Sequence, residues 1–253
     1  MGRLIKATGF LLLGILFIAG TSFAGYLENN GYTPITIYDG YGSGTGWHGA
    51  QEDQEVEPGA TTGQIWDMEG FFQSGSLLAL VGGWNFLGDI GGITSGDIFF
   101  ETNGDDEFDY VLDMDWDLGT YSVISGGGFT TKSISGGPLT GLPWQYLSGG
   151  SVESTGNVFS DYQAGLTDAE MGGGLTGGTH NAVVIDLSFL ANDPNAAGNE
   201  FTSYFTMTCG NDTVNGSGTA PVPEPATMFL LGTGLLGLAG VGRKKLIGKK
   251  SEK

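Results

Sequence analysis

Basic side chains are almost missing from the middle of this chain. Between Gly25 and Val222 the only one is Lys132, against 26 acidic residues, the 28 of the whole chain less Glu224 and Glu252. The whole chain carries a formal charge of −19 because its remaining basic residues sit at the two ends. So acidic a segment repels nucleic acid and anionic membrane, and neither is expected as its partner. It suits the binding of cations, or solubility in a wet, salty matrix. Cysteine is scarcer still. Cys209 stands alone, so no disulfide can form within the chain. It reads as a small apolar side chain on the face of Phe201, Phe205 and Met207, or as one half of an intermolecular disulfide. Histidine is limited to His48 and His180, each in a glycine-rich polar stretch. That pair offers no clustered zinc ligands, and no Gly-x-Ser-x-Gly elbow accompanies it, so both read as solvated loop side chains. Helical periodicity over ten or more residues is absent between the ends.

Glycine, in contrast, is abundant, at 48 of 253 residues against a usual ~7%. The glycines come in clusters without a fixed period, which argues for many turns and short strands. Strands are expected at Ile35–Tyr38, Gln64–Met68, Leu77–Val81, Asp97–Thr102, Phe108–Asp117, Thr120–Ile124 and Phe129–Ile134. Two more alternate at period two, over Val183–Phe189 and Phe201–Cys209. Gly40–Gly49 and the acid-rich Gln51–Pro58 read as loops, Val152–Gly178 resists placement, and Gly210–Pro221 reads as a polar linker. Repeated short strands with frequent turns predict one all-β domain, an antiparallel β-sandwich of jelly-roll-like or Ig-like kind.

The clearest local pattern is DIFFETNGDDEFDYVLDMDWD, Asp97 to Asp117. Phe108, Tyr110, Leu112, Met114 and Trp116 fall on one face of a strand. Asp109, Val111, Asp113, Asp115 and Asp117 fall on the other. Asn103-Gly104 is a hairpin signal. The acids that extend this hairpin, Asp105, Asp106 and Asp109, read either as a solvated like-charge loop or as calcium ligands, since hard cations take oxygen donors. Trp47, Trp84 and Trp144 read as sugar-stacking rings or, more commonly, as core.

Both ends of the chain carry transport signals. Arg3 and Lys6 precede the apolar run Gly9–Gly20, and Ser22-Phe23-Ala24 sets small residues where signal peptidase cleaves, so residues 1–24 are expected to be a signal peptide removed after Ala24. At the other end come Val222-Pro223-Glu224-Pro225, then the uncharged run Ala226–Gly242, then Arg243, Lys244 and Lys245 with Lys249, Lys250 and Lys253. The run predicts one membrane helix over 226–242 with its basic stop, 243–250, in the cytoplasm. Residues 25–217 are left as the acidic ectodomain and 218–253 as linker plus tail.

This tail resembles the PEP-CTERM sorting signal of Gram-negative bacteria, on Val222-Pro223-Glu224-Pro225, the glycine-rich span Leu230–Gly240 and the Arg243-Lys244-Lys245 stop. The resemblance implies recognition at Pro-Glu-Pro by the membrane-embedded enzyme exosortase. It also implies transient anchoring in the inner membrane and onward delivery to the cell surface or extracellular matrix, with a link to extracellular polysaccharide. Gly82-Gly83-Trp84, Ser95–Phe99 and the ending Cys209-Gly210-Asn211-Asp212 resemble a subset of such surface proteins with no assigned activity. The function expected is structural or adhesive, with a carbohydrate-binding module as the alternative and a glycan-active enzyme using paired carboxylates third. Calcium is the one cofactor considered.

Overall fold

The computed structural model describes residues 24–38, 52–136, 139–223 and 233. The expected signal peptide before Ala24, the Gly40–Gly49 loop and nearly all of the sorting helix with its basic stop lie outside them. Among the described residues no helix is long and apolar enough to cross a membrane.

Fourteen strands and three helices of four residues each make up the described chain. In order they are α1 (Tyr26–Asn29), β1 (Thr33–Pro34), β2 (Thr36–Ile37), β3 (Met68–Ser74), β4 (Leu77–Gly82), β5 (Ile98–Glu101), β6 (Tyr110–Asp115) and β7 (Thr120–Ser125). Then follow β8 (Thr130–Ser133), β9 (Pro143–Ser148), β10 (Ser151–Val158), β11 (Asp161–Leu166), α2 (Asp168–Met171), β12 (His180–Asp186), α3 (Ser188–Ala191), β13 (Glu200–Thr206) and β14 (Thr213–Thr219). One sheet has the order β1-β3-β4-β12-β11 and a second β10-β7-β6-β5-β13-β14-β2, with β8-β9 as a separate ribbon. Every named pairing is antiparallel.

Alternation sorts the side chains into layers. Phe71, Leu78, Leu80, Val183 and Ile185 from the first sheet meet Ile98, Phe100, Leu112, Val123, Phe201 and Phe205 from the second in one buried cluster. That shared cluster is the interior of an all-β sandwich. The intervening residues are covered too. Phe72, Ala79, Val81, Ala182 and Val184 pack under Leu27 of α1 and Met171 of α2. On the outer face of the second sheet Phe99, Val111, Ile124 and Tyr204 are covered by Phe108, Phe129 and Tyr146. Two covered faces explain why β4 reads as an unbroken apolar run.

The aspartate pattern holds from Tyr110 onward, but Phe108, expected on the inward face, precedes β6 and packs in the outer cluster against Phe99 and Tyr204. Leu112 is buried, Met114 and Trp116 are half-buried, and Asp113, Asp115 and Asp117 are exposed. Val111 escapes exposure because the outer aromatic cluster lies over it. Three further expectations are corrected. Gln64–Trp66 is a turn of 3-10 helix, and β3 starts only at Met68. This turn lies so close to Gly83 that a Cβ there would sit 1.8 Å from the Gln64 carbonyl oxygen. The alternation expected through Phe189 stops at Asp186, whose Oδ1 accepts from the Ser188 N–H at 2.9 Å and the Ser188 hydroxyl at 2.6 Å, turning the chain into α3. The stretch Gly210–Pro221 is no linker, since Thr213–Thr219 pairs along the whole of β13. Its small residues serve packing: a Cβ on Gly216 would lie 2.9 Å from that of Phe71.

Candidate functional site: a polar groove beside a buried acidic knot

A groove of about 1140 Å³ opens between β7 and β10 on one side and the segment from Asp186 to Asn195 on the other. Tyr110, Tyr121 and Phe189 are among its lining residues, the two tyrosines more than nine-tenths buried. Ring contacts at 5.4 Å between Tyr110 and Phe189, and 5.8 Å between Phe189 and Phe100, tie these rings to the core. The Tyr110 hydroxyl donates to Asp193 Oδ2 at 2.6 Å. Burial, then that carboxylate, pushes the Tyr110 hydroxyl up, while the hydroxyl and the Asn195 N–H hold Asp193 below the usual carboxylate range. The walls present Ser125, Glu153, Asn157, Asn192 and Asn195, with Asp109 and Asp186. Among the described residues no lining residue is basic. Hydroxyls, amides and carboxylates around aromatic rings suit a polyol that is neutral or amine-bearing, and a polyanion would be repelled.

A second concentration of polar groups is internal. The loop after residue 51 places Glu52, Asp53, Glu55 and Glu57 inside the protein, and β3 adds Asp67 just before its start and Glu69 within it. The β13–β14 turn adds Asp212, which is 0% exposed. Carboxylate oxygens converge within 4.8 Å at two places among the described residues, Glu52 with Glu55 and Asp212, and Asp53 with Asp67 and Glu69. The second group is held by hydrogen bonds. Asp53 accepts from the Thr176 N–H and hydroxyl, the latter at 2.9 Å. Asp67 accepts from the Gln54 N–H at 3.0 Å and the Glu55 N–H at 3.3 Å. Glu69 contacts His180 Nδ1 at 2.7 Å and Gln64 at 2.5 Å. Burial, then the neighbouring Glu69, pushes Asp67 up to about 9. Burial pushes Glu69 up to about 7, with His180 opposing the shift.

His180 was expected in solvent and is instead fully buried, with Glu69 at one ring nitrogen and Asp168 at the other, 2.9 Å from Nε2. Burial alone would lower its pKa, but the two carboxylates outweigh it and raise it. The ring, bridged between two carboxylates, ties β3, α2 and β12 together. His48 lies outside the described residues.

The acids of the β5–β6 hairpin do not join either convergence. Asp105 and Asp106 are exposed. Asp109 accepts from the Thr102 N–H and hydroxyl, both at 2.8 Å, and from the Asn103 amide at 2.9 Å. Trp84 is buried, in keeping with the commoner core reading, and its Nε1 donates to the Ser95 hydroxyl at 2.9 Å. Trp144 is half-buried with the Lys132 amine 4.5 Å from its ring centre, and Trp47 is outside the described residues. Cys209 is half-buried against the central cluster, and burial raises its thiol pKa.

Residues 221–244 match the family model of the PEP-CTERM protein-sorting motif. The chain therefore carries a PEP-CTERM sorting signal. That motif implies export, passage through a membrane-anchored stage and processing by exosortase. No curated protein and no solved structure matches the chain. The groove had no signal in the sequence, because its walls come from Glu153–Asn157, a stretch without apolar periodicity, and from Asp186–Asn195, where the expected alternation gives way to α3.

Proposed function

We propose that this is a surface or matrix protein of a Gram-negative bacterium, and that its mature sandwich holds extracellular polysaccharide in the groove over Tyr110, Tyr121 and Phe189. Signal peptidase, cutting after Ala24, and exosortase, acting at Pro223-Glu224-Pro225, free it of both ends. The role is adhesive: the protein binds chains of neutral or amine-bearing sugar and does not cleave them. The observation that carries this reading is the groove itself, lined by amide, hydroxyl and carboxylate groups with Tyr110, Tyr121 and Phe189 beneath them and, among the described residues, by no basic side chain.

The test is a glycan array probed with the processed protein and with a variant carrying Glu153→Ala and Asn192→Ala on opposite walls. The expected outcome is retention on neutral or amino-sugar polymers, no retention on uronic-acid polymers, and a loss of about 10-fold or more in the variant, as expected when two polar partners of a bound ligand are removed. Equal binding by the variant would move the ligand off this groove, and release of shortened sugar chains would replace binding by hydrolysis.

A further inference from the structure

The acidic loop and the β13–β14 turn are stitched together in a way that the groove does not explain. The Glu57 N–H donates to the Asn211 carbonyl at 3.2 Å. Asn211 exchanges two hydrogen bonds with Thr61, its Oδ1 accepting from the Thr61 N–H and its amide donating to the Thr61 carbonyl, both at 2.8 Å. The Thr213 hydroxyl donates to Glu57 Oε1 at 2.9 Å. These contacts fix Asp212 against Glu52 and Glu55 from the opposite side. One oxygen of Asp212, Oδ2, accepts from the Met68 N–H. The other, Oδ1, is buried and has no hydrogen-bond partner among the described residues.

A fully buried carboxylate oxygen without a partner is costly. A proton shared with a neighbouring acid is one way to relieve it, and a bound cation is another. One oxygen from each of Glu52, Glu55 and Asp212 lies within 4.8 Å of the others, close enough for one ion to touch all three. Ligands on opposite sides of a calcium ion, each about 2.3–2.6 Å from it, stand about that far apart. The donors are all oxygen, with neither imidazole nor thiolate in the group, which favours a hard cation over zinc or copper. Exported proteins meet such ions outside the cytoplasm, and the only basic residue between Gly25 and Val222, Lys132, is engaged with Trp144.

We propose that Glu52, Glu55 and Asp212 form a structural calcium site that clamps the 52–61 loop to the β13–β14 turn. Asp67, which accepts from the Gln54 and Glu55 N–H groups, positions the loop behind the ligands. The ending Cys209-Gly210-Asn211-Asp212 thereby gains a role: Gly210 makes the turn with φ of 60°, Asn211 fastens the loop, and Asp212 is the ligand. The site is separate from the groove and stands or falls independently of polysaccharide binding.

The experiment uses the full chain in mild detergent, stripped with chelator and returned to calcium or magnesium. Native mass spectrometry should find one calcium per chain, and the melting temperature should rise with calcium and less with magnesium at equal concentration. Asp212→Asn keeps the shape while removing one charged ligand. It should weaken calcium binding by about 10-fold or more, and its melting temperature should respond correspondingly less to calcium. Glu55→Gln is the second variant and should do the same, so a failure of either to fold leaves the other to decide. A wild-type chain that holds no calcium and melts alike in chelator and calcium would overturn the proposal. So would a calcium response that survives both substitutions, or one that disappears only when Asp105, Asp106 and Asp109 are changed to Asn.

Discussion

Asp113, Asp115 and Asp117 stand exposed along one edge of β6 and just beyond it, whereas Glu52, Glu55, Glu57, Asp67 and Asp212 are at most 3% exposed. The two sets have the same chemistry and opposite surroundings. In the first, alternation with Leu112, Met114 and Trp116 turns every carboxylate to water, and the cost of crowding is limited by solvent screening. In the second, no apolar alternation exists, and tertiary contacts draw an acidic loop inward against β3 and the β13–β14 turn. Acid content therefore marks a surface only where a neighbouring apolar period says which way the strand faces. Where that period is missing, the same residues can line an internal site.

The largest expected effect tests the apolar side of the first set. Leu112→Ala should cost ~2–5 kcal/mol, since Leu112 is fully buried in the central cluster, and urea unfolding measures it directly. A cost under ~1 kcal/mol would mean that the strand does not face inward as described.

Asp97 sharpens the contrast, because it lies beside the exposed aspartates and yet is buried. Its two oxygens accept from the Met114 N–H at 2.9 Å and the Tyr146 N–H at 2.7 Å. Burial, reinforced by Asp113 and opposed by those two N–H groups, pushes it up to about 7 from 3.8. A carboxyl whose folded pKa is raised favours folding in its protonated form. Its contribution is complete below the unfolded value and is lost as pH rises through the folded one. Stability should therefore fall between pH 4 and pH 7 with a contribution from Asp97 of up to about 1.4 kcal/mol per pH unit. Asp97→Asn should remove that contribution, giving a flatter profile in chelator-treated protein even if its stability at pH 5 is lower. Parallel profiles for the two proteins would show that Asp97 titrates normally.

The smallest effect belongs to Asp113→Ala. Asp113 is exposed, and burial of part of its carboxyl, then the charge of Asp115, raises its pKa. Its removal should change stability by no more than ~0.5 kcal/mol and in the favourable direction at low salt. A large loss would place this aspartate in the structural set.

Much of the sandwich was legible in the sequence, because strands such as Leu77–Val81 and Phe201–Cys209 announce themselves by their apolar content. β14 was not legible. Glycine and threonine there look like a linker, and only the close approach of Gly216 to Phe71 reveals why small residues occupy a buried strand. β10 and β11 were hidden similarly by polar edges with little apolar period, and with them went the wall of the groove.

What the chain by itself determined is its route and its class. A Pro-Glu-Pro corner followed by an uncharged run and a basic stop is a contiguous signal, read by position along the chain, and period-two alternation is a local consequence of strand geometry. The groove and the acidic knot are different in kind. Glu52 and Asp212 are 160 positions apart in the sequence, and their meeting depends on how β3, β13 and β14 are stacked. No pattern within either segment encodes that neighbour, because burial and the partner of a charge are properties of the packed sheets.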